Sequence, residues 1–524
     1  MAGRRIVITT FGSYGDVNPY VGLARELRAR GHRPAIATSP FYRDHVERAG
    51  VEFRPVRPDV DPGDRALVAR IMDARRGTEF LLRDLLLPVL PDAWADLDAA
   101  AADADLLLTH PITFAGPIVA EERGLPWASS VLAPMSFFSA YDLPVFPPLP
   151  AAKRLERIPG AAALLVRLAR LATRRWSAPV HALRASRGLP RGADPLFEGQ
   201  HAPRLVLALF SRLLGAPQPD WPPNVRVTGH VFYNGTGRDA ALPDDVERFL
   251  AAGPPPIVFT LGSSATAAAG RFYAESAAAA RRLGRRAVLL VGRHPENRAG
   301  IAGGDDLLLA DHLPHEALLP RAAAVVHQAG IGTLAQAMRA GRPMLLVPFA
   351  HDQPDNAHRA ARLGIARVLS PRRYRAGRAA AALGALLDDA TSAARAAEVG
   401  RAVRAEGGAA AAADALEARG AAQTGYRRPE IHERVQAVRY WVDQPFEPHV
   451  EPGRIDRWTR HLRPHQQGVE LLQQDRLAVD IEHLGGDAGA ARRGIQSHRE
   501  RAYGLDALDP KNRGLDDGLG GAGI

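Results

Sequence analysis

Residues 323–356 read A-A-V-V-H-Q-A-G-I-G-T-L-A-Q-A-M-R-A-G-R-P-M-L-L-V-P-F-A-H-D-Q-P-D-N. The apolar run 324–326 predicts a buried strand ending at His327. A glycine-spaced turn follows, Gly330-Ile331-Gly332-Thr333, and an alanine-rich helix opens at about Thr333. A strand that turns through glycines into a helix offers free backbone N–H groups and the positive end of the helix dipole, which together make an anion site. Thr333 adds a hydroxyl donor. A second strand, 344–347, ends at Pro348 and leads into Asp352-Gln353. A carboxylate accepts from two hydroxyls and an amide both donates and accepts, so this pair suits a sugar. A phosphate cradle and a sugar-type pair at the ends of neighbouring strands fit a nucleotide-sugar. Each part has a plain alternative: a glycine-rich turn common to such sheets, a strand-end histidine, and Asp352 as a helix N-cap.

These residues need strands and helices to hold them. Residues 4–10 predict a buried strand, 12–18 a loop, and 19–30 a helix with Pro19 in its first turn. Residues 34–38 predict a second strand, completing the β-α-β opening of a doubly wound sheet. Strands at 105–109, 127–131, 205–209 and 225–229 and a helix at 116–123 continue it. Residues 134–194 interrupt the alternation. They are rich in proline and aromatics and carry one basic amphipathic helix near 161–176. Phe137, Phe138 and Tyr141 make this segment apolar enough to line an acceptor pocket. The alternative is an insertion packed on the surface. A linker with one short helix spans 233–256, with Asn234-Gly235 and Gly237 as turn formers. A second alternation follows, with strands at 257–261, 287–291, 307–309, 324–326, 344–347 and 366–369, then helix over 376–419. Gly262-Ser263-Ser264 closes the first of these strands.

The 524 residues are too many for one core, so two or more domains are expected. There is no cysteine, which excludes disulfides, zinc-thiolate sites and thiol nucleophiles and suits a cytoplasmic protein. The net charge is +10, and lysine occurs only at Lys153 and Lys511. The arginines are spread through helices beside acids with few aromatics between them, so no nucleic-acid partner is expected. No signal peptide is expected before the first strand, and no apolar run reaches the roughly 18–20 residues needed to span a bilayer. Peripheral membrane contact stays open. Residues 426–524 lack apolar periodicity, and 421–524 are expected to be a poorly ordered tail.

The two segments His327–Thr333 and Pro348–Asn356, with Gly12-Ser13-Tyr14-Gly15-Asp16-Val17-Asn18-Pro19 near the start, resemble the signatures of the family 1 glycosyltransferases. The N-terminal segment is similar to that of the sterol and glycopeptide branches. The likeness covers residues 4–419. It implies an α/β protein of GT-B architecture, with two Rossmann-like domains facing across a cleft plus a C-terminal appendage. The acceptor domain would be 1–234 and the nucleotide-sugar domain 235–420, with a last helix at 396–419 crossing back to the first.

The resemblance also implies roles. His327 would hydrogen-bond the donor diphosphate, aided by Gly330, Gly332 and Thr333. Gly15 and Ser263 would contact the donor from the facing loops. Asp352 and Gln353 would hold sugar hydroxyls, and Asn356 would lie near the ribose. His312 replaces a stacking tryptophan of many relatives, so backbone at Leu313 would hold the base edge, and the choice between uridine and thymidine stays open. Asp16 would be the general base; its alternative is a helix cap. His110 would partner Asp16 or substitute for it, or is a satisfied core histidine. The activity implied is inverting, metal-independent transfer of a hexose from a UDP- or dTDP-sugar to a hydroxyl of an apolar small molecule. The sugar nucleotide serves as co-substrate, with no cofactor and no metal site. A sugar-nucleotide 2-epimerase and a non-catalytic sugar-nucleotide-binding protein are the alternatives. The apolar insertion argues against the first and the presence of Asp16 against the second.

Overall fold

Short, wholly buried apolar runs alternate with helices along the chain, and such runs form parallel strands covered on both faces. The computed structural model describes residues 3–421 except 148, 234 and 236–240. The expectations for Asn234, Gly237 and residues 422–524 lie outside the described residues. Strands β1 (Arg5–Thr9), β2 (Arg33–Thr38), β3 (Glu52–Pro55), β4 (Leu106–Thr109), β5 (Trp127–Val131), β6 (Val206–Ala208) and β7 (Val225–Val227) form the first sheet. Its order is β3-β2-β1-β4-β5-β6-β7 and every pairing is parallel. Strands β8 (Ile257–Thr260), β9 (Ala287–Leu290), β10 (Leu307–Ala310), β11 (Ala324–His327), β12 (Met344–Leu346) and β13 (Ala366–Val368) form the second. Its order is β10-β9-β8-β11-β12-β13, again parallel. Strand β3 was not expected, because only Phe53 of its four residues is buried.

Both sheets reverse their winding order beside their first strand, between β1 and β4 in one and between β8 and β11 in the other. Those reversals open a crevice beyond the carboxyl ends of the strands. They place the two candidate loops, after β1 and after β11.

Two helix boundaries differ from expectation. Helix α1 (Tyr14–Ala29) begins at Tyr14, so residues 14–18 are helical and Pro19 lies inside. A capping box starts it early: Ser13 Oγ accepts from the Gly15 N–H (3.2 Å) and Asp16 Oδ2 from the Ser13 N–H (2.7 Å). Proline lacks an N–H, so the Gly15 carbonyl has no donor four residues on.

The helical stretch 376–419 resolves into three helices, α5 (Ala376–Leu387), α6 (Ala390–Arg404) and α7 (Gly408–Ala421). Asp389 caps α6 by accepting from the Thr391 and Ser392 N–H groups, and Gly408 takes a left-handed φ of 49° after the second break. The crossing back to the first sheet therefore begins at the break before Gly408, where Glu406 accepts from Ser211 Oγ (2.5 Å), not at Ala396. Gly408 N–H donates to Thr228 O (2.8 Å), and Arg30 and His32 pair with Glu417 (both 3.0 Å). Of the helices between, α2 (Ala161–Thr173) lies in the first half, while α3 (Ile331–Ala340) and α4 (Gln353–Arg362) follow β11 and β12. Among the described residues no helix is long and apolar enough to cross a membrane.

Candidate active site

Asp16 sits in the first turn of α1 at the β1/β4 crevice. One carboxylate oxygen is tied to Ser13 N–H and Oγ (2.7 and 3.1 Å). The other lies 4.0 Å from Nε2 of His110, which follows β4. The Asp16 side chain keeps 32 % of its exposure. Burial raises its pKa to about 6 against the hydrogen bonds from Ser13. Burial lowers His110 to about 3, so the imidazole is neutral near pH 7. A small cavity adjoins these strand ends, lined by Thr10, Phe11, Arg57, Leu90, Ile112 and Phe114 among others. Its residues come from four separate segments, so no local pattern marked it.

The second crevice holds the glycine turn. Gly330 is the N-cap of α3, and neither a side-chain cap nor an acidic residue occupies the first turn of that helix. Its first amides therefore lack the internal partners that α1 has. Ala329 stands at φ 67°, a strained conformation for a residue with a Cβ. His327 holds this bend: its Nδ1 accepts from the Ala329 N–H (3.1 Å) and its Nε2 faces Met344 Sδ (3.3 Å). The ring is fully buried. Burial, then the nearby His315, lowers its pKa to about 3. His327 thus points inward and carries no charge. Gln328 is a residue the sequence reading did not single out as a site. A Cβ at Gly262, whose φ is 59°, would lie 2.4 Å from Gln328 Nε2 and 3.0 Å from Thr333 Oγ1, so only glycine fits there. The buried Gln328 Oε1 has no protein partner among the described residues. Ser263 is exposed on the next residue.

Asp352 and Gln353 open α4. Asp352 is the N-cap residue but makes no capping bond; its Oδ2 accepts from Asn356 Nδ2 (2.7 Å). Burial, then the charge of Asp16, raises its pKa to about 7. Gln353 Oε1 accepts from the Phe349 and Ala350 N–H groups (2.9 and 3.3 Å). Asn356 also donates to Ala329 O (3.0 Å), joining the sugar-type pair to the glycine turn, while its Oδ1 has no partner among the described residues. His312 is exposed with its ring 6.1 Å from that of His315, and the Leu313 side chain is in the core.

The aromatic trio does not form one wall. Phe137 stacks on Trp221 (centroids 4.1 Å apart) in a core with Val131 and Phe210. Phe138 has a left-handed φ of 48°, which turns it the other way, against Phe197 and Phe146. Tyr141 is 65 % exposed. Phe137 is therefore a core residue.

What the segment does supply is a link between the halves. Arg359 on α4, 1 % exposed, pairs with Asp355 (Nε to Oδ2, 2.7 Å) and with Asp142, and donates to Leu214 O (3.0 Å). Asp355 also accepts from the Val145 N–H (2.9 Å), and Lys153 binds Asp142 (3.1 Å). Burial alone would push Asp142 up, but the charges and hydrogen bonds of Arg359 and Lys153 outweigh it and hold the pKa at about 2.

The geometry agrees with what the chain resembles. Residues 6–136 match the model of the glycosyltransferase family 28 N-terminal domain, and residues 292–418 that of the erythromycin biosynthesis protein CIII-like C-terminal domain. O-mycaminosyltylonolide 6-deoxyallosyltransferase of Streptomyces fradiae is 34 % identical over 77 % of this chain and 94 % of its own length. Glycosyltransferase GtfE of Amycolatopsis orientalis is 32 % identical over 69 % of this chain and 85 % of its own. Among solved structures, the glycosyltransferase of kitacinnamycin matches with a TM-score of 0.61 at 24 % identity, over 80 % of this chain and all of its own. A spinosyn rhamnosyltransferase complexed with thymidine diphosphate matches with a TM-score of 0.57 at 21 % identity, over 79 % of this chain and all of its own. Two Rossmann-like sheets meeting at their switch points define a GT-B enzyme. The chain belongs to the family 1 glycosyltransferases of the macrolide, glycopeptide and sterol type.

Proposed function

We propose that this enzyme moves a hexose from a uridine or thymidine diphosphate sugar to a hydroxyl of an apolar small molecule, with inversion and without a metal. The observation that carries the reading is the pairing of opposites across the cleft. A carboxylate of raised pKa in the first turn of α1 faces the uncapped first turn of α3. The acceptor hydroxyl gives its proton to Asp16 as its oxygen attacks the anomeric carbon. The bond from that carbon to the diphosphate oxygen breaks, and the diphosphate leaves with the electron pair toward the α3 amides and Thr333. Preorganised N–H dipoles at a leaving anion supply the stabilisation a cation would otherwise give. His327 serves by shaping the Ala329 bend rather than by carrying charge. Asp352 and Gln353 orient the sugar. A carboxyl group of pKa about 6 is a better base near neutrality than an ordinary aspartate. The thymidine diphosphate of the rhamnosyltransferase neighbour supports a nucleoside diphosphate donor.

The test is a donor and acceptor panel followed by mass spectrometry, in EDTA, with NMR of the product's anomeric proton. Asp16→Asn should lower transfer by about 10²- to 10⁴-fold while thymidine and uridine diphosphate bind as before. Retention at the anomeric carbon, loss of rate in EDTA restored by magnesium, or an Asp16→Asn enzyme of near-parental rate would each remove part of the proposal.

A further inference from the structure

We propose that the outward face of α2, with the segment leading into it, docks on an anionic lipid surface. Two stripes run along this helix. Ala162 and Val166 are buried and pack with Leu143, sealing the helix to the protein. Leu164, Leu168 and Leu171 are exposed by 56, 52 and 66 %. At about 100° per residue these three fall on the side opposite Ala162 and Val166. Leu149 and Ile158, in the preceding segment, are exposed by 60 and 54 %. Single exposed leucines are ordinary, but three in register on one short helix make an apolar patch.

The charges decide the occupant. Residues 149–175 carry seven arginines and lysines and one acid, Glu156. Glu156 is bridged to Lys153 (2.8 Å) and Arg170 to Glu198. Arg154, Arg157, Arg167, Arg174 and Arg175 are exposed. Cations therefore alternate with leucines along the same outer surface. In a dry protein interface each such arginine would need its own carboxylate, and a second copy would set arginine against arginine. At a lipid surface the leucines enter the acyl boundary, and the arginines extend to the headgroup phosphates, the pattern of an interfacial helix. The helix spans about 20 Å, so its whole outer face meets one leaflet. This surface does not depend on the reading of the catalytic cleft.

Flotation of the full chain with vesicles tests it. The parent should rise with vesicles of phosphatidylcholine containing phosphatidylglycerol and stay behind with phosphatidylcholine alone. Binding should weaken as salt shortens the Debye length from about 10 Å to about 3 Å. Replacing Leu164, Leu168 and Leu171 together by Asn, or Arg167, Arg174 and Arg175 together by Gln, should cut the bound fraction about tenfold or more. The melting temperature and the turnover of a water-soluble acceptor should stay at parental values in both variants. Vesicle binding that survives the leucine replacements would overturn the proposal. So would equal binding to both vesicle types, no flotation, or a parental dimer that those replacements dissolve.

Discussion

Gly15 and Gly332 meet backbone to backbone across the cleft: a Cβ on Gly332 would lie 3.2 Å from the Cα of Gly15. Each glycine is in the first turn of its helix, so two positive dipole ends face one another. The two ends are not alike. Ser13 and Asp16 satisfy the first amides of α1 from within, whereas α3 has no side-chain cap and no acid in its first turn. An anion in the cleft is therefore drawn to α3, and Asp16 stays available for a proton.

That contact is testable at Gly332. Alanine is the better helix former by about 1 kcal/mol, which offsets the cost of shifting the Gly15 backbone, so Gly332→Ala should change the melting temperature little. Its methyl group would push the first turn of α1 away and block the backbone's approach to a phosphate. We expect kcat/KM to fall about tenfold, the usual size of effect when a reacting geometry shifts by a fraction of an ångström. Steady-state kinetics beside a thermal melt checks this; unchanged kcat/KM would mean that the glycine pair is only a packing detail.

The charge of Asp16 helps to raise Asp352 to about 7, above the value of about 6 for Asp16, so Asp16 loses its proton first. The rate should rise with pH as Asp16 gives up its proton, with an acid limb in kcat/KM near 6. Asp352 is still protonated where Asp16 titrates, so Asp352→Asn replaces one neutral group by another and should leave that limb near 6 while raising the donor KM. A limb that moves to lower pH would show that Asp352 ionises before the base.

The same two carboxyl groups bear on stability. Both have folded-state pKa values above the ordinary 3.8, at about 6 and about 7. Their contribution is then fully present below about pH 4 and is lost as pH rises through 6 and 7. Asp352→Asn should therefore match the parent's melting temperature near pH 4 and exceed it at about pH 8. Melts across that range decide; a difference that does not grow with pH would contradict the raised pKa.

Much of this arrangement is legible in the sequence because its signals are local. A buried apolar run, a glycine turn and an alanine-rich helix lie within residues 324–340, and the chain there folds as that order implies. Twelve strands follow from such runs, whereas their order in each sheet does not. What escaped depends on contacts between distant segments. Residues 13–16 look like loop because Pro19 suggests a helix start, and only the Ser13–Asp16 box moves the start back. Phe137 and Phe138 are adjacent and both apolar, yet the left-handed backbone at Phe138 sends them into different clusters. The Asp142–Arg359 pair joins residues 217 positions apart, and no local pattern marks it. Gln328 lay inside the recognised motif; its orphaned amide oxygen gives it interest only once the fold is known.

Arg359 carries the last prediction. Its guanidinium holds Asp142 and Asp355 in a largely buried cluster that fastens the segment around Val145 to α4, the helix that Asp352 and Gln353 open. Arg359→Met should cost about 3–5 kcal/mol, because it leaves the buried Asp355 without its ion partner and Asp142 with only Lys153 and Arg362. Removing all three charges together (Asp142→Asn, Asp355→Asn, Arg359→Met) should recover most of that loss, since the Lys153 charge left behind keeps Glu156. The cluster's directional bonds would still be gone. The triple variant should therefore melt near the parent yet show a raised acceptor KM and a lower kcat, with nucleoside diphosphate affinity little changed. Parental kinetics in the stable triple variant would reduce the cluster to a structural tie.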